Sequence, residues 1–298
     1  MLNKVKVSIV QSSTVFFDKH KTLNKVAEFT RQAKQNNTNL VLFPETFIGG
    51  YPKGEDFGVK LGYRKSEGRD LYKKYYDSAI DTSSDSEDIK FLSELALENE
   101  VYLVIGVLEK EGGTLYCSVV FFAPDGTYLG KHRKLVPTAM ERIIWGQGDS
   151  STIPVFNTNI GNIGAVICWE NYMPLLRTHM YQENIQLYCA PTVDDRDNWL
   201  STVRHIALEG RCFVLSACQF MTKQDYPEGI ALNEKSEILI RGGSCIVSPL
   251  GEFLVEPVYN KECIISAELN LDDIIKAKFD LDVVGHYARP DIFQLNIK

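Results

Sequence analysis

Apolar residues open the chain at period two, with Val5, Val7 and Ile9 separated by polar neighbours, the spacing of a strand that buries one face. The period then lengthens. Leu23, Val26, Ala27, Thr30 and Ala33 fall on one side of a helix, and Asn39 to Phe43 reads as a short buried strand that stops at Pro44-Glu45. From Thr46 to about Arg69 the chain is rich in Gly, Tyr and Lys without a period, a loop long enough to carry function. Ser84 and Glu87 have the spacing of a capping box and predict a helix that turns Ile89, Leu92 and Leu95 inward. Val101 to Leu108 and Leu115 to Phe122 read as paired strands.

Two hairpins resemble each other: Val119 to Leu129 around Pro124-Asp125-Gly126, and Cys245 to Leu254 around Pro249-Leu250-Gly251. Between them the pattern gives a strand from Ile163 to Cys168, a helix after Met173 and a strand from Gln186 to Ala190. A helix from about Asn198 to Glu209 and a strand from Phe213 to Gln219 follow. Strands alternating with helices define an α/β protein of two similar halves, two sheets with helices outside. No Ser/Gly linker or charge block interrupts the chain, so residues 1–298 are expected to form a single domain.

Composition narrows the function. Of the 298 residues 44% are apolar and 24% charged, the balance of a globular chain with a sizeable core. A net charge of -7 argues against nucleic acid or an anionic membrane as partner, because either calls for a clustered basic face. The one dense basic run, Lys131-His132-Arg133-Lys134, is too short to reverse this. No stretch approaches the roughly 18 apolar residues of a membrane span, and the start carries no signal-peptide pattern. Seven scattered cysteines suit free thiols in a reducing compartment, which makes the cytoplasm the expected location.

Three positions invite chemistry. An apolar strand runs through Ile163-Gly164-Ala165-Val166-Ile167 onto Cys168, and polar residues lead from there towards a helix, the setting of a nucleophile elbow. A helix N-terminus and a nearby cation would favour the thiolate there. Read alone, Cys168 could equally be a buried small hydrophobe, as Cys117, Cys189, Cys212, Cys218, Cys245 and Cys263 are taken to be. None of the five histidines stands in a protease-like context, and His205 reads as structural, so the base has to be another group. There is also no metal-ligand spacing or phosphate-binding loop, and no cofactor is expected. Glu45 ends a strand, where α/β proteins present reactive groups, and Lys134 follows a strand that begins near Tyr128. Each alone also fits an ordinary surface charge.

Together and in this order, the blocks are specific. Phe43-Pro44-Glu45-Thr46-Phe47-Ile48-Gly49-Gly50-Tyr51-Pro52 resembles the glutamate block of the carbon-nitrogen hydrolase superfamily, in its nitrilase branch. Lys131-His132-Arg133-Lys134-Leu135-Val136-Pro137, continuing to Glu141 and Trp145-Gly146-Gln147-Gly148, resembles that branch's lysine block. Cys168-Trp169-Glu170-Asn171-Tyr172-Met173-Pro174 resembles its cysteine block. The likeness continues through Ala190-Pro191-Thr192 and His205 to Leu215, and spans about residues 4 to 290.

The resemblance implies a four-layer αββα sandwich and hydrolysis of an organic nitrile to a carboxylic acid and ammonia. It makes Cys168 the nucleophile, Glu45 the general base and Lys134, not Lys131, the cation beside the reacting carbon. Glu141 matches a second acid that would position Lys134 or the attacking water, or else form a structural ion pair. Tyr51, Trp145 and Trp169 would line the substrate pocket or simply pack. Burial beside Glu141 should raise the pKa of Glu45 while Lys134 lowers it, and the sequence leaves the balance open. A homodimer or larger homo-oligomer is expected by the same resemblance. An amidase or carbamoylase of the same superfamily, release of an amide, and a catalytically silent interaction protein remain as alternatives; Trp169 after the cysteine favours nitriles.

Overall fold

Alternating burial along Lys4–Gln11 makes this segment, β1, the natural centre of a sheet: Val5, Val7 and Ile9 face one side and Val10 the other. The computed structural model describes residues 2–227 and 236–298. After β1 come helix α1 (Lys19–Gln35), β2 (Leu40–Leu42), a small hairpin of β3 (Val59–Lys60) and β4 (Tyr63–Arg64), and helices α2 (Ser66–Asp77) and α3 (Glu87–Asn99). The strands β5 (Tyr102–Glu111), β6 (Thr114–Phe122) and β7 (Tyr128–Arg133) complete the first half. The second half contains β8 (Val155–Thr158), β9 (Gly161–Ala165), α4 (Pro174–Gln182), β10 (Leu187–Thr192), α5 (Asp197–Gly210) and β11 (Phe213–Cys218). It continues with β12 (Phe220–Thr222), β13 (Ile238–Val247), β14 (Phe253–Tyr259), β15 (Cys263–Asn270) and α6 (Asp272–Ala277).

Two mixed sheets result. One has the order β15-β1-β2-β5-β6-β7; the other runs β12-β13-β11-β10-β9-β8, with β14 also pairing β13. The sheets pack face to face through Val7, Ile9, Leu42 and Val104 from the first and Ile163, Cys189, Leu215 and Ile246 from the second. The outer face of the first sheet is covered by α1 and α3, whose Val26, Ala33, Ile89 and Leu92 meet Val41, Ile105 and Val120. The outer face of the second is covered by α4 and α5, whose Met180, Trp199, Val203 and Ile206 meet Tyr188, Val214 and Val247. This is the αββα sandwich that the resemblance implied. The chain returns through β15, which lies antiparallel to β1 from Lys4↔Asn270 to Gln11↔Cys263 and ties the last strand to the first.

Several local boundaries differ from the sequence reading, three of them for a physical reason. The segment after Thr46 is not loop as far as Arg69, because α2 begins at Ser66; this helix buries only Gly68 and Tyr75, too few to leave an apolar period. The cap of α3 is Ser86, not Ser84, and its hydroxyl accepts from the Ile89 amide at 3.1 Å. The strand expected to reach Cys168 ends at Ala165, because the backbone must leave the sheet to enter the turn that holds the cysteine.

Candidate active site

Glu45 lies just beyond β2, after Phe43, whose amide still bonds the Val104 carbonyl at 2.9 Å. The chain then bends sharply at Thr46, which holds φ at 45°, a left-handed conformation unfavourable for a β-branched residue. Gly106 on β5 makes room for this bend. A Cβ there would stand 2.0 Å from the Pro44 carbonyl oxygen and 2.7 Å from the Glu45 Cα. The Gln219 side-chain amide, from the second sheet, donates to the Glu45 carbonyl at 2.7 Å.

Lys134 follows β7, and its amine reaches Glu45 Oε1 at 2.7 Å and Glu141 Oε2 at 2.8 Å. All three side chains are almost wholly removed from solvent. Glu141 also accepts from the Thr138 amide at 2.6 Å and from the Tyr51 hydroxyl at 2.9 Å. Trp145 places its ring 5.6 Å from the Lys134 amine and edge-on to Tyr51 at 5.7 Å. It backs the lysine and is not on the wall of the cavity that contains Cys168.

Cys168 stands at the first position of a short 3-10 turn, Cys168–Tyr172, with φ of 48°. The side chain of Asn171 fastens this turn by donating to the carbonyls of Val166 and Cys168, both at 2.8 Å. The residue is only 3% exposed, at the floor of a cavity walled by Tyr51, Lys53, Glu141, Trp169, Asp194 and Arg196. Its sulfur accepts the Thr192 hydroxyl at 3.2 Å. Because that hydroxyl oxygen already accepts the Asp194 amide at 2.9 Å, its proton is directed at sulfur. Trp169 is 42% exposed at the rim, its indole bonded to Asp194 at 2.9 Å and its face covered by the Arg196 guanidinium at 4.9 Å.

Charge follows from this geometry. Burial pushes the Glu45 carboxyl above its ordinary range; Lys134 opposes the shift and Glu141 adds to it. The question the sequence left open is thus settled on the side of burial. The Lys134 ammonium is also penalised by burial, but the negative charge of Glu45 and Glu141 holds its pKa well above normal. Burial and the neighbouring Glu45 raise the Cys168 thiol, against Lys134 and Thr192, which favour the thiolate. The sulfur therefore rests as a thiol that needs an acceptor for its proton, against the cation that favours the thiolate. One oxygen of Glu45, Oε2, is buried with no hydrogen-bond partner among the described residues and can be that acceptor.

Several contributors carried no sequence signal as site residues. Cys117 on β6 donates to Glu45 Oε1 at 3.5 Å, Thr192 ends β10, and Gln219 follows β11. Their period-two neighbours marked strands, but nothing in their spacing tied them to Cys168 or Glu45. Among the described residues no group of three or more His, Cys, Asp or Glu side chains is arranged to hold a metal ion. No helix among them is long and apolar enough to cross a membrane.

A buried acid, ammonium and thiol at the same end of two facing sheets is a hydrolytic arrangement, and comparison with known proteins places it. The carbon-nitrogen hydrolase family model matches residues 6–279. In solved structures the fold recurs in the carbon-nitrogen hydrolase of Helicobacter pylori G27, with a TM-score of 0.74 at 22% identity over 97% of each chain. The chain belongs to the carbon-nitrogen hydrolase family. It is 52% identical, over 99% of its own length and 86% of the relative's, to the bifunctional nitrilase/nitrile hydratase NIT4A of Lupinus angustifolius. It is 51% identical to the aliphatic nitrilase of Sinorhizobium fredii, over 99% and 96% of the two chains. Within the family it is a nitrilase.

Proposed function

We propose that Cys168, Glu45 and Lys134 hydrolyse an organic nitrile to its carboxylic acid and ammonia through an acyl-enzyme. Glu45 takes the thiol proton onto its unpartnered oxygen as sulfur attacks the nitrile carbon, and returns the proton to nitrogen, giving a thioimidate. Water adds to that carbon, and the charge of the tetrahedral species is stabilised by the Lys134 ammonium. Loss of ammonia leaves a thioester. A second water, deprotonated by Glu45, releases the acid and restores the thiol. Glu141 is the second acceptor that holds the ammonium, and Tyr51 holds Glu141. Tyr51 and Trp169 would meet the organic part of the substrate at the cavity wall.

The observation that carries this reading is the Lys134 amine bridging the carboxylates of Glu45 and Glu141, the second of which lines the same cavity as Cys168. A test is to assay ammonia, acid and amide from aliphatic, arylaliphatic and cyano-amino-acid nitriles and from the matching amides. Acid and ammonia should form faster from a nitrile than from its amide. Faster turnover of the amides would assign the site to the amidase reading. The tetrahedral species can also expel the thiol and release an amide, and the relative from Lupinus angustifolius bears both activities in its name. The same assay reads that branch as amide accumulating from nitrile.

The chain is further proposed to act as one domain, since the site draws Glu45 and Lys134 from the first sheet and Cys168 and Thr192 from the second. Assembly into a homodimer or larger homo-oligomer is supported by apolar side chains left in water on the covering helices, Leu175 on α4 and Leu208 on α5. The free cysteines suit a cytoplasmic location.

A further inference from the structure

His132 and Glu170 are both sealed from solvent, and neither reaches the cavity. Glu170 Oε1 accepts the amide of Leu135 at 2.6 Å, the residue after Lys134. Its Oε2 accepts the amide of Ile167 at 3.0 Å, the residue before Cys168. The same Oε2 lies 2.9 Å from Nε2 of His132. On the far side of the ring, Nδ1 lies 2.5 Å from the Thr152 carbonyl oxygen. A carbonyl can only accept, so Nδ1 carries a proton; the Glu170 oxygens are acceptors for two amides, and Oε2 accepts from Nε2 as well. Both ring nitrogens are then donors, and the pair is a buried imidazolium and carboxylate. Burial works against that cation, but the Glu170 charge, its hydrogen bond and the Thr152 carbonyl raise the His132 pKa overall.

We propose that His132 and Glu170 are a positioning pair, in which one carboxylate pins the backbone next to the amine of Lys134 and the backbone next to the sulfur of Cys168. The two pinned amides follow strands of different sheets, Leu135 after β7 and Ile167 after β9. No other side chain among the described residues bonds both of these amides. His132 fixes the carboxylate by holding its Oε2 and is itself anchored to Thr152. Through this brace the spacing between ammonium and sulfur is set by hydrogen bonds as well as by the packing between the sheets. That spacing matters because displacements on the order of 1 Å in a catalytic group can cost about 10²-fold in rate. The proposal rests on the assignment of Cys168 and Lys134 as catalytic.

Glu170→Gln tests it, because a carboxamide of the same shape has one acceptor oxygen and cannot hold both amides or neutralise His132. With Cys168 sites titrated by an alkylating nitrile analogue, kcat per titrated site should fall about 10²-fold while KM changes less than about threefold. Adding His132→Gln removes the stranded cation, and the double variant should be no worse than Glu170→Gln alone. Wild-type kcat per titrated site in Glu170→Gln overturns the proposal. So does a loss explained wholly by fewer titratable sites, which is the signature of a fold-only role. Should Glu170→Gln fail to fold, His132→Gln with Glu170 in place should lower kcat about tenfold at steady KM, and an unchanged kcat overturns the proposal. Cys168→Ala run alongside separates the two levels. Turnover surviving there removes the catalytic assignment itself, whereas an inert Cys168→Ala beside an unimpaired Glu170→Gln removes only the brace.

Discussion

The Lys134 amine stands 2.7 Å from one oxygen of Glu45, while the other oxygen of that carboxylate has no hydrogen-bond partner among the described residues. The first contact holds the acid in place and the second leaves it a vacant site for a proton. Glu45→Gln keeps the shape and an acceptor for Lys134 but cannot shuttle a proton. It should fold normally and lose on the order of 10²–10⁴-fold in kcat, read by ammonia release. Activity within tenfold of wild type would remove Glu45 as the base.

Cys168→Ala should abolish turnover and leave the circular dichroism spectrum and melting temperature close to wild type, since only one sulfur is lost from a 3% exposed site. Cys212 and Cys218 are equally buried but serve packing, on the outer face of the second sheet and beside β12. Their replacement by Ala should retain the chemistry. A dead Cys218→Ala with an active Cys168→Ala would mean that the wrong thiol has been assigned.

Lys134→Met and Lys131→Met separate two neighbouring cations with different duties. Lys134 lies between two buried carboxylates, so its removal should end turnover and cost roughly 3–5 kcal/mol in urea unfolding, with one carboxylate retaining a proton in compensation. Lys131 pairs with Glu109, away from the cavity. Its replacement should leave kcat within about threefold. The opposite pattern would exchange the two lysines.

Glu109 supplies a pH signature that belongs to the fold. Burial pushes its carboxyl up, yet hydrogen bonds from Arg133, Lys131, Ser118 and Thr82 together bring it down to about 2. A depressed folded-state pKa gives stability that is complete above the unfolded value and lost as pH falls towards the folded one. Its share, on the order of 3 kcal/mol, should therefore disappear between about pH 4.5 and 2. Urea unfolding of wild type and Glu109→Gln across that range should converge as the pH drops; a constant gap would contradict the ion-pair account.

How far the sequence could be read depends on how each element is buried. β1, α1, α3 and α5 each turn a full apolar face inward, and their periods were visible. β14 and β15 are half-buried along most of their length and α2 buries two residues, so β14 was marked only where it leaves the Cys245 to Leu254 hairpin, and β15 and α2 not at all. At the site, Glu45, Lys134 and Cys168 were legible because each sits in a run of residues that resembles a family block. Glu170 and Thr192 sit in such runs too but with no role attached to them, and with Cys117 and Gln219 they act through tertiary contacts such as the 2.7 Å bond from Gln219 to the Glu45 carbonyl. Separations of that kind depend on how two sheets are stacked, which no local pattern encodes.

Bare backbone at position 106 means that the aim of the acid is governed by a neighbour that has no side chain of its own. A single methyl added there would collide with the main chain of the carboxylate's own residue and of the proline before it, and swing the acid away from the amine. Efforts to widen the substrate range of this enzyme by random mutation should consequently find this strand interior closed to change, and the freedom they need lies instead around the rim where Trp169 and Arg196 meet water.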